Sequence, residues 1–456
     1  MPRTETIPAP EFTRRRWLLA AGSGLAVAAC GGGDGAEPGT PTITAFRADR
    51  SRYRPGEAAV LSVSFSGGRG HVDPVVGEVI SGHTVTTPPL LANRRFRLRV
   101  EATGRPSTER EIELAVGFED RWLDVGQPFV CSHHAAVASG DGGVIVTGGS
   151  RGLSTLSEAV DHYDPATHRT TRIGSLRTGR SNHSALRLPG GQILVAGGAT
   201  STSAAPYAEL VDERSGAVAD GGGMVRARSR HSATLLADGR VLVAGGLGHG
   251  SAELWDPETR RWRAVAQSML QPRSHHSATL LADGRVLLAG GWSPVADYLH
   301  AEIFDPATET FAALQLPGAE WIGRRYLHGA HRLADGSVLL LGGELQGQET
   351  VPVNTTVRID LAAARVAPAA PLQTPRTWQG GLLLPGDQVL LVGGQTDEWA
   401  ASAHVALVGP GGQRALAPLP GPRVGHSTHR LADGRVLVIG GEDSAGQYVP
   451  QTLIYE

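Results

Sequence analysis

Six histidines occupy one place in a repeating pattern. His134, His183, His231, His276, His328 and His426 each precede a pair of glycines by fourteen residues, and Gln379 holds that place in the sixth unit. Three residues earlier stand Arg180, Arg228, Arg273, Arg325, Arg376 and Arg423, with Cys131 in the first unit. Neutral imidazole is a common metal ligand, and Cys131 adds a softer donor beside His133 and His134, so such a ring could hold a metal ion. A group that recurs in nearly every repeat equally suits a structural duty, here a bond to the neighbouring repeat. The breaks in the pattern, Cys131 for Arg and Gln379 beside Trp378 for His, carry more information than the rule. A second set of residues lies between the repeats: Trp292, Tyr298, Trp321, Tyr326, Glu344, Gln346, Trp378 and Trp399. Aromatic and polar groups gathered on one face suit stacking on sugar rings or anchoring a protein. The sequence has no His-Glu-x-x-His and no phosphate-binding loop, and a carboxylate pair for sugar chemistry has no local motif to find. No catalytic residue is assigned.

These side chains are carried by a strongly periodic chain. An apolar run closes on a diglycine seven times, at Gly148-Gly149, Gly197-Gly198, Gly245-Gly246, Gly290-Gly291, Gly342-Gly343, Gly393-Gly394 and Gly440-Gly441. A period of about fifty residues matches one four-stranded propeller blade per unit. In the unit from His276 to Gly291, Asp283-Gly284 supplies the positive φ of a tight hairpin, which makes strands a and b adjacent and antiparallel. Strand c follows as Ala301-Glu302-Ile303-Phe304-Asp305-Pro306, and strand d has the form Arg261-Trp262-Arg263-Ala264-Val265. The chain ends on a strand-c sequence, Thr452 to Glu456, so the last unit lacks strand d. Arg121-Trp122-Leu123-Asp124-Val125 precedes the first unit without a blade of its own and is expected to fill the gap. Strand a is innermost in a blade, so the histidines should gather near one mouth of the central channel, on the face where the b–c and d–a loops open.

The pattern resembles the kelch repeat, and the resemblance covers residues 118–456. It implies a seven-bladed β-propeller of the galactose oxidase-like superfamily. The copper-radical oxidases of that group draw two copper-binding His from the same position, with a Tyr directly before one of them. Here the preceding residues are His133, Asn182, Arg230, His275, Leu327, Trp378 and Gly425. None is Tyr, and Tyr326, one residue further out, would point the other way along a strand. Oxidase activity is therefore not expected and no cofactor is predicted; a metal ion at the His-rich mouth is the alternative held open.

Before the repeats, segments of period two between 42 and 117, among them Phe96-Arg97-Leu98-Arg99-Val100, predict a small β-sandwich. Tyr53-Arg54-Pro55-Gly56-Glu57 resembles the bacterial immunoglobulin-like modules of surface proteins. Residues 31–41, rich in Gly and Pro, read as a tether. Residues 1–30 open with Arg14-Arg15-Arg16 before an apolar run too short to span a bilayer, the form of a secretion signal. The segment resembles a twin-arginine export signal, and Val27-Ala28-Ala29-Cys30 resembles a lipobox, which implies acylation of Cys30 and a membrane anchor, outer membrane or periplasmic face. The net charge of −2 gives no surface for nucleic acid. The expected function is a cell-envelope binding module for a glycan or protein partner. The alternative is a periplasmic sugar-active enzyme, either mutarotase- or epimerase-like or a diverged metallo-oxidase.

Overall fold

The computed structural model describes residues 40–456 apart from 128, 153–154, 296–297 and 348–349. Cys30, the signal and nearly all of the tether lie outside the described residues.

In strand Arg94–Glu101 every second side chain is apolar, and Phe96, Leu98 and Val100 turn inward while Arg95, Arg97 and Arg99 turn out to meet Glu109, Glu111 and Glu113 on strand Thr108–Val116. These strands belong to a five-stranded sheet, and a three-stranded sheet built on Thr42–Ala48 and Val60–Ser66 closes the other side of one core containing Phe46, Leu61 and Leu114. The result is a small sandwich.

The repeats form seven four-stranded antiparallel blades. Blades 1 to 6 span 135–175, 184–223, 232–264, 277–313, 329–369 and 380–416. Blade 7 takes Ser427–Arg430, Val436–Ile439 and Leu453–Tyr455, and its outer strand is Trp122–Asp124, as expected. Strand b is apolar and buried along nearly all of its length in each blade, as in Val286–Ala289, because a neighbouring blade covers either face. The diglycines mark where blades touch through backbone. A Cβ on Gly290 would stand 2.2 Å from the Arg325 carbonyl of the next blade, and Gly291 N–H donates to that same carbonyl at 2.6 Å.

The sandwich rests on the face of the a–b hairpins. Arg54 Nη1 donates to the Asp433 carbonyl at 2.9 Å and Arg430 Nη2 to the Pro55 carbonyl at 2.7 Å. The opposite face, where strand a begins, is left to the b–c and d–a loops.

Candidate functional site: the channel mouth

The buried arginines come first, since they hold the loops of this face. Arg180, Arg228 and Arg273 are fully buried and paired with Glu209, Glu253 and Glu302 on strand c of their own blades. Each glutamate also accepts a backbone N–H from the preceding d–a loop, as from Leu270 at 2.8 Å, so the pair staples that loop to the sheet. In blades 5 to 7 the glutamate is replaced by Val357, Ala406 and Leu453. There Arg325, Arg376 and Arg423 lean on carbonyls instead, Arg325 on Gly342 and Thr355, and burial pushes each guanidinium down to about 10. In blade 1 Cys131 stands in for the arginine. Its thiol is buried, sits 3.1 Å from the Gly148 carbonyl and is pushed up to about 12, so it is a protonated donor.

Five of the six histidines stitch blade to blade. His231 Nε2 lies 3.0 Å from Ser184 Oγ, His276 Nε2 2.8 Å from Ser232 Oγ, His328 Nε2 2.9 Å from Ser277 Oγ, and His134 Nε2 2.8 Å from Ser427 Oγ, each hydroxyl on strand a of the preceding blade. His183 keeps the rule by another route. Blade 1 has Ala135 where the serine should be, and the residue paired with it across the sheet, Thr147, offers its Oγ1 at 2.9 Å. Blade 5 has Gly329 there, and the next blade carries Gln379, whose amide donates to the Leu341 carbonyl at 2.9 Å. Blade 6 has Gly380, and among the described residues neither buried ring nitrogen of His426 meets a hydroxyl. Burial holds His134, His183, His231, His328 and His426 at about 3 and His276 well below its ordinary value, so all six are neutral. Among the described residues, no three His, Cys, Asp or Glu side chains come together to hold a metal ion. The ring of histidines encircles the channel with Nε2 of five of them bonded to a neighbouring blade.

The residues one step before them form the mouth itself. His133, Asn182, Arg230, His275, Leu327 and Trp378 all have φ between 51° and 56°, and Gly425 has 69°. Left-handed backbone is unfavourable for each non-glycine residue, and it is offset by a hoop of backbone bonds. His133 N–H donates to Gly425 O, Asn182 to His133, Arg230 to Asn182, His275 to Arg230 and Leu327 to His275, at 3.0 to 3.2 Å. The hoop gathers these side chains over the axis. Trp378 stands edge-on to His133 at 5.0 Å and to His275 at 5.5 Å.

Beside this cluster lies a cleft of about 440 Å³ lined by Arg230, Ser274, His275, Trp292 and Tyr326, with Leu247 and Gly248 at one wall. Burial, with the Arg230 charge second and His133 third, pushes His275 down to about 4. Burial lowers His133 as well, against the opposing pull of Glu442. The sequence reading of Tyr326 needs correcting. The left-handed turn at Leu327 breaks strand alternation, and the Tyr326 ring comes to 6.4 Å from His275.

Of the eight residues singled out between the repeats, Trp292, Tyr326 and Trp378 meet at the mouth. The other five do not line the cleft, although Glu344 bonds the Tyr326 hydroxyl. Tyr298 turns inward, its hydroxyl on the Gly291 carbonyl at 2.8 Å. Glu344 is buried and accepts from Thr377 Oγ1 at 3.0 Å, and Gln346 locks two b–c loops together through Ser293. Trp321, on the short 3-10 helix Ala319–Ile322, and Trp399 are exposed away from the cleft. Arg230 and His275 escaped selection by sequence because their role depends on the left-handed turn; the signal available was the change of residue type at that place from unit to unit.

No protein-family model matches the sequence, and no curated protein matches it. Among solved structures the chain is similar to a fungal alcohol oxidase of the AA5 family in complex with copper, at a TM-score of 0.62 and 17% identity, over 74% of this chain and 75% of that one. What the two share is the fold. The residues here do not fit a copper ion: the mouth has no tyrosine in its inner ring, and its histidines bond to neighbouring blades or stack on Trp378.

Proposed function

We propose that this chain is an exported, lipid-anchored envelope protein whose propeller binds a glycan at the channel mouth. The observation that carries the reading is the cleft at Arg230, His275, Trp292 and Tyr326. Its volume is that of a small-molecule site, its aromatic walls suit the apolar face of a pyranose, and Ser274 and Arg230 supply polar contacts. A protein partner is the less favoured occupant, since the apolar surface is concave and narrow. The amino-terminal module, immunoglobulin-like in this reading, is a spacer between anchor and propeller.

Titration of the protein with oligosaccharides tests the reading. Trp292→Ala should weaken binding about tenfold or more with nearly unchanged melting temperature, and equal affinity in both proteins would overturn it. Turnover of the sugar would instead favour the sugar-active enzyme. Anchoring is tested by Cys30→Ser, which should move the protein to the soluble fraction.

A further inference from the structure

We infer that the mouth is built for a hydroxy carboxylate, the uronic-acid class of sugar, with the carboxylate on Arg230 and a hydroxyl on His133 Nε2. The inference rests on the glycan reading above and narrows it.

The cation comes first. The surface arginines of the a–b hairpin face are matched to acids: Arg240 to Asp238 and Glu309, Arg285 to Asp283, Arg358 to Asp335 and Arg435 to Asp433. Arg230 is exposed and, among the described residues, pairs with no carboxylate. It is nevertheless held over the axis by its left-handed backbone, close enough to bear on both His133 and His275. The cleft lining contains no Asp or Glu. The one carboxylate that touches the wall, Glu344, is buried and taken up by the Tyr326 and Thr377 hydroxyls, so a guanidinium with its fork free matches the two oxygens of an incoming carboxylate.

The acceptor follows from hydrogen-bond direction. Ser132 Oγ lies 3.0 Å from Glu442 Oε2 and 3.0 Å from His133 Nδ1. An ionised carboxylate can only accept, so the single serine proton points to Glu442, and the serine oxygen must accept from His133 Nδ1–H. His133 is thereby fixed as the Nδ1–H tautomer, and its Nε2 carries a lone pair with no protein partner among the described residues. Neutral at ordinary pH, that nitrogen accepts from a hydroxyl. Glu442 belongs to the b–c loop of blade 7, across the axis from Arg230 in the turn before blade 3, so its charge is spent on Ser132 and not on the cleft. Trp292, Tyr326 and Trp378 remain for the ring face. Cation, acceptor and aromatic wall together describe an acidic sugar.

Calorimetric titration of the full chain with a uronate oligosaccharide, its methyl ester and a neutral oligosaccharide of equal length tests this. The free acid should bind at least about tenfold tighter than the ester. Arg230→Gln should erase that preference, bringing the acid to the affinity of its ester, and Glu442→Gln, which frees Ser132 to reverse its proton, should weaken the acid several-fold at unchanged melting temperature. Equal binding of acid and ester, or a preference that survives Arg230→Gln, overturns the carboxylate subsite and leaves the glycan reading standing. An undisturbed affinity in Glu442→Gln overturns the role of His133. If none of the three saccharides binds, the glycan reading falls and this inference with it.

Discussion

At the scale of single residues, the histidine ring carries its own internal control. Four blades give the next histidine a strand-a serine, and blade 1 supplies the same hydroxyl from strand b, with Ala135 and Thr147 exchanging the roles that serine and alanine play at Ser184 and Ala196. Thr147→Ala should therefore cost about 1 kcal/mol in urea or thermal unfolding by stranding His183, and adding Ala135→Ser should recover most of it. A double variant no more stable than the single one would mean that the hydroxyl is not what His183 needs. The recurrence of the histidines was legible in the sequence, as was the oddity of Gln379. Their partners were not, because the serine one residue past four of the histidines acts on the following blade, and the exchange at Ala135 and Thr147 has meaning only once strand register is known.

At the scale of elements, the blades were legible because Gly and Asp-Gly punctuation survives where side-chain alternation does not; strand b is apolar on both faces and says little by its period. The ring closure was legible too, since a unit short of one strand and a strand without a unit leave one solution. It is held by more than the ladder. Tyr455 Oη donates to Asp120 at 2.7 Å, Trp122 Nε1 to the Ala417 carbonyl at 2.8 Å, and Arg121 pairs with Glu456. Removing Leu453 to Glu456 should leave Trp122–Asp124 unpaired and expose the edge of Val436–Ile439. Size-exclusion chromatography should then report self-association, and calorimetry a broad transition in place of a cooperative one; a monomer with the parent melting profile would contradict this. The left-handed turns at the mouth were hardly legible, since Asn182 and Gly425 alone carry a turn signal while Arg230, Leu327 and Trp378 carry none, and the closing of the hoop selects that conformation for them.

At the scale of the whole molecule, six buried neutral imidazoles set the response to acid. Folded, five of them protonate only near pH 3 and His276 well below its ordinary range, whereas in the unfolded chain each titrates near its ordinary 6.5. Between those limits the unfolded state binds more protons, so stability rises with pH there. What is fully present above about pH 6.5 is lost progressively as pH falls toward 3. Melting temperature should drop steeply between pH 6.5 and 4.5, with more than one proton taken up per molecule unfolded at pH 5. A flat profile across that range would show that these histidines are solvated.

The hoop of backbone bonds also has a break. Among the described residues its five links run from Gly425 through blade 1 to Leu327, and no backbone link joins Leu327 to Trp378 or Trp378 to Gly425; Thr377 Oγ1 meets the Leu327 carbonyl at 3.5 Å instead. The ring at the axis is thus a split collar, not a closed washer. Its opening falls at the tryptophan that touches both His133 and His275, so the part of the mouth with the least backbone restraint is also the part that must seat against whatever enters.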